Sequence, residues 1–68
     1  MANVTIRDIL NAGICVSGTR MFFKHHGLNF GAFIRDGGID SEILLATNDA
    51  QAKLAVAEAE RREREDGC

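Results

Sequence analysis

The residues able to do chemistry lie in one stretch of the chain: Cys15, Ser17, His25, His26 and Asp36. His25 and His26 taken with Cys15 raise zinc, whose usual ligands are imidazole and thiolate. Adjacent histidines on a helix point about 100° apart, and the paired, closely spaced ligands of zinc sites are missing, so no metal is expected. One histidine is expected to help close a helix near Gly27, where positive charge suits the helix dipole, while the other faces solvent. Cys15, Ser17, His25 and Asp36 also supply the residue types of nucleophilic catalysis, but nothing in their spacing brings them within hydrogen-bond reach. Cys15, flanked by Ile14 and Val16, reads as a small buried apolar residue. The glycines at 13, 18, 27, 31, 37 and 38 match neither a phosphate loop nor a dinucleotide fingerprint. The expectation is a protein without cofactor or catalytic activity.

The elements that would position these residues are set by glycine and capping residues, since proline is absent. Thr5 with Asp8 resembles a capping box, and Ile6, Ile9 and Leu10 repeat at helical spacing until Gly13, predicting a helix over about residues 6–12. Ile14 to Val16 form an apolar crossing, with a short strand there as the alternative. Ser17 is placed to cap a second helix running to Gly27, with Leu28 making the apolar contact that follows a left-handed glycine. Asn29 is placed to cap a third helix carrying Phe30, Phe33 and Ile34, closed by Gly37 and Gly38. Asp40 caps a turn or two through Ile43, Leu44 and Leu45. Thr47 or Asn48 starts the last helix, with Gln51 completing a second box.

From Asp49 to Asp66 the chain uses almost only strong helix formers. Ala50, Leu54 and Ala57 read as its packing seam. Beyond them, residues 58–66 carry almost no apolar side chain, with Glu58–Arg62 and Glu60–Arg64 as helical ion pairs. That charged end is expected to be solvated and dispensable for folding. With no period-two alternation and no internal repeat, the fold class is all-α: a single helical domain over residues 1–68, a bundle of four to five short helices with a longer charged C-terminal helix. Its core is expected over about residues 5–57.

Composition narrows function. Hydrophobic residues make up 46% and charged residues 26% of the 68, the balance of a globular chain rather than a disordered one. No apolar run is long enough for a membrane helix, and residues 1–16 lack the features of a signal peptide, so no membrane partner is expected and the chain reads as cytosolic. Two cysteines, Cys15 and Cys68, give no disulfide framework, though a thiol at Cys68 could pair with another copy after lysis. The eighteen large apolar side chains from Ile6 to Val56, all but two of them before residue 46, must supply a core close to the limit of independent stability, which favours association with a second copy or a larger protein.

Charge is polarised along the chain. Residues 17–35 carry Arg20, Lys24 and Arg35 with no acid, and residues 36–51 carry Asp36, Asp40, Glu42 and Asp49 with no base. Arg20 and Lys24 share a helix face close to His25 or His26. A helix-turn-helix reading would use residues 30–36 against bases, but Phe30, Gly31, Ala32, Phe33 and Ile34 offer little to a base edge. Three cations are also few for phosphate binding. Phe22 and Phe23 are neighbours on a helix and point different ways, so one of them is a candidate interface residue while the aromatic group as a whole forms core. The candidate interaction residues are therefore Arg20, Phe22, Lys24, His25 and Arg35, joined by Arg61, Arg62 and Arg64 on the charged helix end.

The stretch AGICVSGTRMFFKHHGLNFGAFIRDGGID, followed by LLATNDA, resembles a set of small helical proteins of tailed bacteriophages and prophages. The shared pattern is carried here by Ala12, Gly13, Cys15, Ser17, Gly18, Arg20, Phe22, Phe23, His26, Gly27, Leu28, Phe33, Gly38, Ile39, Ala46, Thr47, Asp49 and Ala50. It spans about residues 12–50, and the charged end lies outside it. The resemblance implies a structural or assembly role in a head–tail or tail module, docking on larger virion proteins or on itself, in the host cytoplasm and the virion. It implies no catalytic residue. A nucleic-acid-binding phage regulator and an inhibitor of one host protein are the other readings.

Overall fold

A computed structural model describes residues 2–66. The order is β1 (Asn3–Val4), α1 (Ile6–Asn11), α2 (Val16–His25), α3 (Phe30–Asp36), β2 (Ile39–Asp40), α4 (Ser41–Leu45) and α5 (Ala50–Asp66). The fold class is all-α, with five helices and one two-stranded antiparallel ladder that pairs Asn3 with Asp40 and Val4 with Ile39. The strand considered at Ile14 to Val16 does not form. The real ladder is two residues on each side, too short for any alternation to register.

The helix ends follow local chemistry. Thr5 and Asp8 form the capping box: the Thr5 hydroxyl accepts from the Asp8 amide at 3.3 Å, and the Asp8 carboxylate accepts from the Thr5 amide at 2.9 Å. α1, α2 and α3 all close on a glycine with positive φ, at Gly13, Gly27 and Gly37. In each case the next amide reaches back five residues, from Ile14 to Ile9, Leu28 to Phe23 and Gly38 to Phe33. Asn29 caps α3 and Asp40 caps α4, each side chain accepting from an amide inside the first turn.

Two caps differ from expectation. α2 begins two residues earlier than Ser17 would allow, because Cys15 is the N-cap and its exposed thiol accepts from the Gly18 amide at 3.3 Å. Cys15 is therefore a surface residue and not a buried apolar one. At α5 the cap is Asp49, whose carboxylate accepts from the Gln51 and Ala52 amides at 2.8 and 3.3 Å. Asn48 instead takes the left-handed conformation at φ 57, and Thr47 bridges the turn by donating to the Leu44 carbonyl. An aspartate charge next to a helix N-terminus outcompetes the neutral Asn48 for that position.

The core gathers Phe23, Phe33, Ile9, Leu44 and Val4 with a run of small residues from α5. Phe23 and Phe33 have ring centroids 5.0 Å apart, and Phe30 closes the aromatic group from a half-buried position. The face of α5 that packs is Ala52, Ala55, Val56 and Ala59, not Ala50, Leu54 and Ala57, which are exposed. The core runs past residues 5–57 at both ends, through Ala2 and Val4 to Ala59. The charged end is not wholly solvated either: α1, β1 and α4 all pack on α5, and Arg62 and Glu63 reach the first strand and helix.

Candidate functional site

The most developed polar arrangement is built around Asp8. Its residue is fully buried, and its carboxylate receives four donors. Thr5 supplies its amide at 2.9 Å and its hydroxyl at 3.1 Å, while Arg62 supplies Nε at 2.9 Å and Nη2 at 3.1 Å. Arg62 Nη2 also donates to the Asn3 carbonyl, and the Asn3 amide donates to Glu63. Burial alone would push the Asp8 carboxyl up, but the Arg62 guanidinium and the Thr5 donors together hold it below its ordinary value. A buried carboxylate held charged by a guanidinium 54 positions away makes this arrangement a clasp between the two ends of the fold.

Of the residues singled out from the sequence, only some come together. Arg20 and Lys24 line an open groove with Gly27, Leu28, Asn29 and Phe30, and the Arg20 guanidinium lies 5.5 Å over the Phe30 ring. Arg35 does not line it; it is exposed and engaged with Asp36 at 3.2 Å. His25 is exposed and His26 half-buried, their rings 5.0 Å apart and nearly perpendicular, with the His26 ring 4.5 Å from that of Phe22. Phe22 is half-buried and packs against the core, whereas Phe23 is the buried member of the pair.

On the charged end the pairing also differs from the sequence pattern. Glu58 accepts from Arg61, which also reaches Glu65 at 2.9 Å, and those two carboxylates hold the Arg61 proton more tightly than usual. Arg62 is committed across the fold to Asp8. Arg64 lines a shallow cleft with Ala2, Glu60 and Glu63.

Among the described residues no group of three or more His, Cys, Asp or Glu side chains is arranged to hold a metal ion, and every buried side-chain polar atom has a partner. A small, half-open pocket of about 20 Å³, room for a single water, lies between α1, α2, α4 and α5. Its walls, which include Ile9, Phe22, Leu44 and Ala55, carry no titratable side chain. The Thr19 hydroxyl on its wall is already donating to the Cys15 carbonyl at 2.9 Å.

What sequence reasoning missed is the outward apolar surface. Of the eighteen large apolar side chains assigned to the core, seven stand between 39% and 70% exposed: Leu10, Val16, Met21, Ile34, Ile43, Leu45 and Leu54. Every one of the five helices contributes at least one. The signal was available in their spacing: Leu10 neighbours buried Ile9, and Ile43 and Leu45 flank buried Leu44, so they cannot share its direction on a helix. No family model, no curated protein and no solved structure matches this chain. Among the described residues no helix is long and apolar enough to cross a membrane.

Proposed function

We propose that this chain acts without catalysis, as a small helical module that docks on other protein surfaces. The observation that carries the reading is the outward apolar surface: seven large side chains spread over all five helices, with Met21 70% exposed. Scattered apolar residues are ordinary on a protein surface, but a chain that leaves seven of its twenty large apolar side chains outward gains stability wherever a partner covers them. The setting, a head–tail or tail module in the virion or in host cytoplasm during assembly, rests on the phage-like pattern over residues 12–50. Nucleic-acid binding through Arg20, Lys24 and Arg35 is the weaker reading, since only the first two line one groove and Arg35 is turned to Asp36.

The test is composition of the particle. Virions of the phage or prophage that encodes the chain are expected to contain it by quantitative mass spectrometry. A Met21→Glu, Ile34→Glu variant that keeps its helical circular dichroism is expected to be lost from them. Particles that form, infect and contain none of the chain would overturn the reading.

A further inference from the structure

α5 carries two stripes of small residues on opposite sides. Ala52, Ala55, Val56 and Ala59 face the core, and Ala50, Leu54, Ala57 and Arg61 follow one another at spacings of four, three and four on the exposed side. Alternating four-three spacing is the seam of a two-helix packing. Leu54, 55% exposed, is its one large apolar side chain, and the alanines beside it allow close approach. Lys53 and Glu60, both exposed, border this seam on the same flank, seven residues apart.

These positions fix the partner. When such a seam meets its own antiparallel image, Leu54 faces Ala57 of the other copy and Ala50 faces its Arg61. A two-fold axis perpendicular to the helices keeps each flank beside the same flank of the other copy, so Lys53 falls opposite Glu60 twice. A large residue meets a small one and a cation meets an anion at every repeat of the operation. We propose that the outward face of α5 pairs with the same face of a second copy of this chain, antiparallel, with Leu54 against Ala57 and Lys53 against Glu60. The inference rests on the docking reading and names one of its partners.

One helix face of about three turns lies at the small end of protein interfaces, so the pairing is weak and concentration-dependent. Sedimentation equilibrium of the full chain from micromolar to millimolar concentration is expected to show monomer passing to dimer. Leu54→Glu is expected to leave the circular dichroism unchanged and to keep the chain monomeric. Lys53→Glu alone and Glu60→Lys alone are each expected to weaken the dimer roughly tenfold, by setting like charges together. The two substitutions combined in one chain restore opposite charges and are expected to recover it. A wild-type chain that stays monomeric throughout, a dimer indifferent to Leu54→Glu, or a double reversal no better than the single ones would each overturn the pairing. A monomer that still enters particles removes the pairing and leaves the docking reading standing, while a dimer absent from particles does the opposite.

Discussion

Asp8 is the only acid of the described chain that is fully buried, and its state couples the fold to pH. Because its carboxyl is held below the ordinary value in the folded chain, its contribution to stability is fully present above about pH 4, near the unfolded value. It is lost as pH falls through the lowered folded value. Urea denaturation is therefore expected to show a flat midpoint from neutral pH to about pH 5 and a decline below about pH 4. Arg62→Ala is expected to cost about 2 kcal/mol at neutral pH, because a buried carboxylate loses two of its four donors, and to flatten that acid decline. A variant with unchanged stability would mean water replaces the guanidinium fully. The sequence pointed to Glu58 as the partner of Arg62 because helical spacing is the pairing a linear reading can see. Asp8 lies 54 positions away and takes Arg62 instead, since a carboxylate removed from water is costly to leave without a cation.

Helix ends were read well wherever the capping residue and the glycine stop agreed, as at Thr5, Asn29, Asp40, Gly27 and Gly37. They were misread where a second residue able to cap stood one or two positions away. The sequence places Ser17 as the cap of α2, yet it sits inside the first turn while Cys15 holds the cap position. Sulfur accepts a hydrogen bond weakly, so Cys15→Ser is expected to stabilise the protein by about 0.5 kcal/mol and Ser17→Ala to change it by less than that. Thermal melts of the two variants settle which residue caps the helix, and a loss of about 1 kcal/mol with Ser17→Ala would return the cap to it. In native buffer the Cys15 thiol is also expected to react with an alkylating reagent without prior unfolding, because it is exposed. For α5 the helix itself was evident from composition, but composition has no phase. Both of its alanine stripes satisfy helical spacing, and Leu54 made the outward one look like the core.

Helical class, number of helices and most boundaries could be read because they depend on neighbours in sequence. The closure of the two ends could not, since it depends on groups that approach only in three dimensions. Ala2 exchanges hydrogen bonds with Ser41, Asn3 with Arg62 and Glu63, and Ala59 is fully buried against this layer. Gly38 belongs to the same closure, because a Cβ there would run into the Asn3 side-chain amide. A chain ending at Ala57 is accordingly expected to lose cooperative unfolding, since a domain this small has only about 3–5 kcal/mol to lose. Far-UV circular dichroism on heating reads this directly. A sharp transition in the shortened chain would mean the core closes without its last two turns. The Cys68 thiol, and any disulfide it forms with another copy, lies outside the described residues.

The clasp between Asp8 and Arg62 also sets a timetable for synthesis. While the ribosome still holds residue 62 in its tunnel, α1 has already emerged with its carboxylate lacking the cation that pairs with it. Local helices can flicker in that interval, but the bridge that fixes their arrangement joins positions 54 apart and must wait for the last turns of α5. Closure of the two ends is thus expected to follow the emergence of residue 62, with Phe23, Phe33 and Leu44 open to a chaperone or partner until then.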